Sequence, residues 1–214
     1  MKLYSYFRSS AAYRVRIALN LKNLSYDYVP VHLLRSGGEQ LADEYRKLSP
    51  DAIVPTLVDG DAVLQQSLAI IEYLEETHPN PPLLPAAAAD RAYVRAVALQ
   101  IACEIHPLDN LRVLRYLVRE MGVAEEVKNG WYRHWIENGF ASLEARLSTD
   151  PRTGKFVFGD TPTLADLCLV PQVFNAQRFN IDTAPYPTLH RLYEHASGLD
   201  VFARAAPGAQ PDAE

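Results

Sequence analysis

Two adjacent hydroxyl side chains near the start of the chain stand where chemistry on an anion is feasible. Ser9 and Ser10 follow a short strand-like run at residues 2–6 and lead directly into a helical pattern. At the start of a helix, unpaired backbone N–H groups and the helix dipole both favour a negative charge. This arrangement predicts a site that stabilises an anion such as a thiolate.

Two further segments have both a structural and a functional interpretation. Pro55 follows Val54 and begins a strand. It is either an edge or turn proline, or a cis-proline that leaves the Val54 backbone free to pair with an extended ligand. Because most X–Pro bonds are trans, the sequence alone favours the first interpretation. Ser67 follows Gln66 at the start of a helix. It is suited equally to capping that helix and to holding a ligand carboxylate there.

Several charged or titratable residues are weak signals when taken alone. Arg8, Arg112 and Arg178 are of a type that is most often solvated at the surface. His106 precedes Pro107 and is interpreted as a partly buried imidazole beside a kink. None of these residues identifies a site by its spacing alone, and no metal site is predicted.

The bulk composition describes a globular protein of ordinary polarity. The chain has 214 residues, 48% of them hydrophobic and 22% charged, with a net charge of −5. This charge argues against nucleic acid as the main partner, and no apolar run is long enough to span a membrane. The absence of an apolar signal core predicts a cytoplasmic location. Cys103 and Cys168 are expected to be buried, reduced thiols.

The first part of the chain alternates between strand and helix patterns in the order βαβ and then αββα. The predicted elements are strands at 3–6 and 26–33, helices at 10–22, 39–48 and 67–76, and a hairpin of 55–59 with 62–65. A strand–helix–strand start implies a parallel pair, and the hairpin adds an antiparallel pair. The expected fold is a small mixed sheet with helices on its faces.

A proline-rich stretch at 78–85 marks a linker, after which the pattern is helical. The predicted domains are 1–78, a linker at 79–89, and an all-helical domain at 90–214. The predicted helices are 90–108, capped by Asp90 and kinked at Pro107, then 125–147, 164–179, 188–195 and 201–205. Thr163 and Asp166 fit a capping box. Residues 206–214 show no periodicity and are expected to be a mobile tail.

From Met1 to about Ala205 the chain resembles the zeta class of the cytosolic glutathione transferases, the maleylacetoacetate isomerases. Four motifs carry this resemblance. The class signature Ser-Ser-Cys-x-x-Arg-Val-Arg-Ile-Ala-Leu is matched by residues 9–19, except that Ala11 replaces the cysteine. The other motifs are Val-Pro-Thr-Leu at 54–57, Gln-Ser-Leu-Ala-Ile-Ile-Glu-Tyr-Leu-Glu at 66–75, and Ala-Asp-Leu-Cys-Leu-Val-Pro-Gln-Val at 165–173.

The resemblance implies a thioredoxin-like N-terminal domain, a helical C-terminal domain and a homodimer. It implies that Pro55 is cis and that Val54 pairs with the cysteinyl backbone of glutathione. The further glutathione contacts that it implies are Ser9 and Ser10 at the thiolate, Gln66 and Ser67 at the γ-glutamyl end, and Gln40, His106 and Asn110. Arg8 and Arg178, with Arg112 third, are the implied partners of a dicarboxylate substrate.

The implied activity is glutathione-dependent cis–trans isomerisation of a maleyl diketo acid, as in aromatic amino acid catabolism. Because Ala11 replaces the signature cysteine, the hydroxyls of Ser9 and Ser10 must suffice. The related maleylpyruvate isomerases have two successive arginines where this chain has Leu111 and Arg112. Maleylacetoacetate is therefore the expected substrate and maleylpyruvate the alternative. A general conjugating transferase and a non-enzymatic glutathione-binding module are further alternatives.

Overall fold

The computed structural model describes every residue from Met1 to Glu214 and divides into two compact units. The first unit contains Met1–Leu83 together with Ser197–Glu214, and the second contains Leu84–Ala196. The last part of the chain therefore packs with the N-terminal unit, whereas the sequence pattern places it in the domain at 90–214.

The first unit is built on a four-stranded mixed sheet with strand order β2-β1-β3-β4. β1 pairs with β2 in parallel and with β3 in antiparallel orientation, and β3 pairs with β4 as a hairpin. Its elements are β1 (Lys2–Ser5), α1 (Ser10–Leu21), β2 (Asp27–Pro30), α2 (Asp43–Leu48), β3 (Thr56–Asp59), β4 (Ala62–Gln65) and α3 (Ser67–Thr77). This confirms the expected mixed sheet and its element order.

The core of the first unit lies between the sheet and the helices α1 and α3, which pack against each other. Leu3 and Leu57 occupy facing positions of β1 and β3, and both are completely buried. Val15 and Leu19 on α1, and Leu74 on α3, are completely buried as well. This packing holds α1 and α3 against each other.

Two predicted elements of the first unit differ in extent. The predicted helix at 39–48 is a 3₁₀ turn (Glu39–Leu41) followed by α2, because Ala42 has an extended backbone between them. The strand predicted at 26–33 ends at Pro30. Its pairing partner β1 ends at Ser5, whose carbonyl accepts one last bond from the Val31 N–H.

The second unit is helical. Its elements are α4 (Ala88–Leu99), a π-helical segment (Gln100–Ile105), α5 (Leu111–Arg119), α6 (Glu125–Leu147), α7 (Leu164–Arg178) and α8 (Pro187–Ser197). The short helix α9 (Asp200–Ala203) follows in the first unit. None of the helices combines the length with the apolar composition of a membrane span. The capping box at the start of α7 is confirmed.

The single helix predicted at 90–108 is wrong. α4 begins after Ala87, and Asp90 lies in its first turn without capping it. The helix widens to π geometry after Leu99 and gives way to turns from His106, so Pro107 lies in a turn and kinks no helix. Apolar residues continue to recur at helical spacing across this break, and the sequence pattern therefore predicts one continuous helix.

The mobile tail predicted at 206–214 is also wrong, since this segment is anchored on the first unit. Pro207 and Gln210 are buried, and the Asp212 carboxylate accepts a hydrogen bond from the Phe7 N–H. Of the two free cysteines, Cys168 is buried as expected. Cys103 is exposed, because it lies on the outer face of the π-helical segment.

Candidate functional site

The start of α1 has the geometry of an anion-stabilising site. Ser9 is the N-cap residue, with an extended backbone, and its Oγ accepts a hydrogen bond from the Ala12 N–H at 3.1 Å. That bond uses a lone pair of the hydroxyl, so its proton is available for donation. Ser10 is the buried first helical residue, and the first turn contains no acidic side chain. The dipole of α1 and the Ser9 hydroxyl therefore both stabilise an anion at this helix start.

Arg8 immediately precedes this helix start. It is partly exposed, and its guanidinium carbon lies 4.7 Å from the centroid of the Phe7 ring. A guanidinium that rests on a ring face retains its charge and its fork of N–H donors. Arg8 therefore carries a permanent cation on the residue that precedes Ser9.

The second element of the site is the segment before β3. The Val54–Pro55 peptide bond is cis, as the resemblance implies and against the trans form that base rates favour. Both residues are buried, and β3 begins at the next residue, Thr56.

The start of α3 is a second helix N-terminus in the same unit. Ser67 is the first helical residue, and the N-cap is Gln66. Of the two alternatives for Ser67, capping of this helix is therefore wrong. Gln66 has φ of 67°, a left-handed conformation that non-glycine residues adopt at a cost. The Nη1 of Arg14, a buried residue of α1, lies 3.3 Å from the Ser67 Oγ. Sequence reasoning gave Arg14 no role beyond its place in the signature.

Gln40 lies in the 3₁₀ turn after Gly38. Its side chain is buried, and its Oε1 has no hydrogen-bond partner. Gly38 has φ of 122°, and a Cβ there would lie 2.7 Å from both amide heteroatoms of Gln40. Glycine at position 38 therefore lets the amide of Gln40 pack against the backbone, with one acceptor left for a ligand donor.

In the second unit, three predicted site residues lie around the start of α5, a helix that the sequence pattern did not reveal. Asn110 is its N-cap, with Oδ1 accepting from the Arg112 N–H at 3.1 Å. His106 is half-buried in the preceding turn, and the Arg112 side chain is exposed. The available signal for this cap was Asn110 itself, since asparagine is a preferred N-cap residue and its partner is a backbone N–H.

Arg178 is the last residue of α7 and is exposed. Its Nη2 donates to the Asn175 Oδ1 at 3.1 Å, and its guanidinium carbon lies 4.6 Å from the centroid of the Phe179 ring. The Asn175 amide donates in turn to the Tyr132 hydroxyl. Arg178 is thus held in one orientation by contacts within its own unit.

A buried carboxyl group, which sequence reasoning missed, lies in the turn before α5. Both oxygens of Asp109 are buried and lack a hydrogen-bond partner. Burial raises the pKa of Asp109 to about 8. Burial, and next the charge of Asp109, raise the pKa of the Tyr132 hydroxyl above its usual value. Asp109 is therefore largely protonated at neutral pH.

Comparison with known proteins places this architecture in one family. The family model of the glutathione S-transferase N-terminal domain matches residues 3–82, and that of the C-terminal domain matches residues 126–195. A probable maleylacetoacetate isomerase of Vibrio cholerae is 54% identical over 211 residues, covering 99% of this chain and 97% of the relative.

Two solved structures superpose over their whole lengths. One is the holo structure of a maleylpyruvate isomerase described as a bacterial zeta-class glutathione S-transferase, with a TM-score of 0.97 and 50% identity. The other is a maleylacetoacetate isomerase from Methylobacterium extorquens with bound malonate and glutathione, with a TM-score of 0.96 and 43% identity. Each alignment covers 100% of both chains.

The chain belongs to the glutathione S-transferase family, and within it to the zeta class.

Proposed function

We propose that this chain is a glutathione-dependent isomerase that converts maleylacetoacetate to fumarylacetoacetate. The observation that carries the proposal is the Ser9 hydroxyl, which caps α1 through a lone pair and keeps its proton for an anion at the positive end of the helix. The names of the similar proteins support the same activity.

The first unit offers groups that fit the parts of glutathione. Ser67 presents the first N–H groups of α3, and Arg14 adds a cation beside it, which suits the γ-glutamyl carboxylate next to Gln66. The unpartnered Oε1 of Gln40 suits a ligand N–H. The Val54 backbone is assigned to the cysteinyl moiety. In the second unit, His106 and Asn110 are assigned to glutathione by the resemblance.

When bound, glutathione would supply the thiolate that adds to the cis double bond, which becomes a rotatable single bond, and this thiolate would be expelled again as the trans double bond forms. The task of Ser9, supported by Ser10 and the dipole of α1, is to keep that sulfur deprotonated. A free thiol has a pKa of about 8.5, and lowering it by about two units requires roughly 2.7 kcal/mol of preferential stabilisation of the anion. A hydrogen bond to a charged acceptor and a helix N-terminus together supply energy on this scale.

The substrate carries two carboxylates and develops further negative charge on an oxygen during the reaction. Arg8, Arg112 and Arg178 are proposed to bind these groups, because a guanidinium remains charged and binds carboxylates through two N–H donors. Leu111 stands where maleylpyruvate isomerases have an additional arginine. This chain therefore has one cation fewer, which favours maleylacetoacetate over maleylpyruvate.

The deciding experiment measures isomerisation of both substrates by the purified protein, with and without glutathione. We expect turnover only with glutathione, no net glutathione consumption, and a higher kcat/KM for maleylacetoacetate. A higher kcat/KM for maleylpyruvate would establish the alternative substrate. Accumulation of a glutathione conjugate from general electrophiles, without isomerisation, would identify a conjugating transferase instead.

The role of Arg178 is tested by Arg178→Ala, with Arg133→Ala on the exposed face of α6 as the matched control. We expect Arg178→Ala to lower kcat/KM by about 10- to 100-fold through loss of a carboxylate partner. Glutathione affinity, measured by calorimetry, should stay within about twofold, since the groups proposed for its γ-glutamyl end belong to the other unit. Loss of glutathione binding in this variant, with substrate turnover retained, would contradict the assignment.

The proposal also includes a homodimer and a cytoplasmic location, both of which rest on the resemblance to the class. Light scattering of the purified protein tests the first, and a mass corresponding to a single chain of 24.0 kDa would contradict it. Fractionation of cells that express the full chain tests the second.

A further inference from the structure

The peptide segment that leads into Ser9 is held from one side by a buried arginine. Arg16 on α1 is completely buried, and burial lowers its pKa from the usual value. Its Nη1 and Nη2 donate to the carbonyls of Tyr6 and Phe7 at 3.4 Å and 3.0 Å, and its Nε donates to the carbonyl of Ala205 at 2.8 Å. One guanidinium therefore ties the segment before the site to the C-terminal part of the chain.

In the same segment, the backbone N–H of Phe7 is bound by a carboxylate. Asp212 accepts a hydrogen bond from the Phe7 N–H at 3.1 Å on Oδ2, and one from the Tyr28 hydroxyl at 2.6 Å on Oδ1. Hydrogen bonds with a charged partner are stronger than those between neutral groups. Both backbone polar groups of Phe7 are thus bound by charged side chains.

The C-terminal segment that delivers Asp212 is itself ordered by packing. Gln210 is buried, and its Nε2 donates to the carbonyls of Arg204 and Ala206 at 2.8 Å and 2.9 Å. Pro207 is buried beside it. These contacts lie within the first unit and define a C-terminal clamp, residues 205–212.

We propose that the C-terminal clamp positions the thiolate-stabilising end of α1, with Asp212 and Arg16 as positioning residues for Ser9 and Arg8. This inference rests on the proposed function, in which Ser9 stabilises the thiolate of glutathione. The Ser9 N–H donates to the Tyr6 carbonyl at 2.9 Å, the same oxygen that Arg16 binds, so a shift of Tyr6 or Phe7 is passed directly to Ser9. A displacement of about 1 Å in a reacting group costs up to about 10²-fold in rate.

The test compares Asp212→Ala, Asp212→Asn and a control, Asp200→Ala. Asp200 is an exposed residue of α9 whose carboxylate pairs with Arg204 one helical turn away. The readouts are the pKa of the glutathione thiol in the complex, followed by thiolate absorbance, the separate values of kcat and KM, and amide exchange of residues 7–12. A merely structural contribution of Asp212 would lower the melting temperature without raising that thiol pKa.

For Asp212→Ala we expect the thiol pKa to rise by about half a unit to one unit and kcat to fall about tenfold, with a smaller change in KM. Amide exchange of residues 7–12 should accelerate. Asp212→Asn should show smaller changes in the same direction, because its amide oxygen still accepts from the Phe7 N–H but no longer carries a negative charge. Asp200→Ala should match the parent protein.

An unchanged thiol pKa and unchanged exchange at residues 7–12 in Asp212→Ala would overturn the inference. If Asp212→Ala does not fold, Asp212→Asn carries the test through its smaller changes in the same direction, and parent-like values in all readouts would overturn it. The exchange measurement needs neither glutathione nor substrate. A parent protein that fails to isomerise either substrate therefore contradicts the proposed function, whereas unchanged exchange contradicts the clamp.

Discussion

At the scale of single residues, Ser9 has two separable tasks, because its lone pair caps α1 while its proton is assigned to the thiolate. Ser9→Ala should cost about 1 kcal/mol of stability through loss of the cap. It should also lower kcat by about 10²-fold through loss of one preorganised donor. Ser9→Asp retains a capping acceptor but adds a negative charge, so it should preserve the melting temperature and abolish turnover.

Thermal unfolding and steady-state kinetics of the Ser9 variants separate these two effects. Ser25→Ala, an exposed serine of the same unit, is the matched control and should behave as the parent protein. Parent-like turnover in Ser9→Asp would remove Ser9 from the proposed mechanism.

The second residue-scale prediction concerns Asp109. Burial raises its pKa to about 8 in the folded protein, compared with 3.8 for an ordinary aspartate. Between these two values the unfolded chain has lost the proton that the folded protein retains. The free energy of unfolding should therefore fall as pH rises through this window, by at most about 1.4 kcal/mol per pH unit. Below about pH 3.8 Asp109 is protonated in both the folded and the unfolded chain, so it contributes no pH dependence to the free energy of unfolding.

Asp109→Asn removes the titrating group while keeping the shape of the side chain. Urea unfolding at about pH 5 and about pH 8 should show a smaller pH dependence for Asp109→Asn than for the parent, and greater stability of the variant at the higher pH. Asp61→Asn, at an exposed position in the β3–β4 turn, is the control. Equal pH dependence of the parent and Asp109→Asn would show that Asp109 is not protonated in the fold.

At the scale of elements, α7 depends on the capping box at its start. The buried Asp166 carboxylate accepts from the Thr163 N–H and hydroxyl at 2.8 Å each, and from the Val157 N–H at 2.8 Å. Asp166→Ala leaves three buried donors without a partner and should cost about 3 kcal/mol of unfolding free energy. Urea denaturation measures this.

Asp160→Ala is the control for the capping box, since the exposed Asp160 accepts from the Lys155 N–H near the same helix start. It should cost less than about 1 kcal/mol. Equal destabilisation by Asp166→Ala and Asp160→Ala would contradict the role given to the buried carboxylate.

At the scale of the whole molecule, the first unit is completed by the end of the chain. Phe202 and Ala205 are completely buried, and the Asn20 amide donates to the Val201 carbonyl at 2.9 Å. Removal of residues 200–214 should destabilise the first unit by more than Phe202→Ala, which by itself should cost about 3–5 kcal/mol. It should also abolish glutathione binding. Full glutathione affinity in the truncated chain would contradict this dependence.

The features that could be predicted from the sequence are those in which the interacting residues are neighbours along the chain. Ser9 at the start of α1, the β3–β4 hairpin and the Thr163–Asp166 capping box each depend on bonds that span a few residues. Local geometry dictates them, so residue type and spacing suffice. The resemblance added the cis form of Pro55, which spacing alone did not favour.

The tertiary structure alone decided the contacts between residues that are remote in sequence. Arg14 meets Ser67 across 53 positions, and Phe7 meets Asp212 across 205. No periodicity encodes such pairs, because they form only when the packed core brings distant segments together. The unpartnered carboxyl of Asp109 has the same origin, since burial is a property of the fold. Thus the sequence determined the elements of the first unit and the residue types of the site, whereas packing determined the break after α4, the order of the C-terminal segment and what holds the site in place.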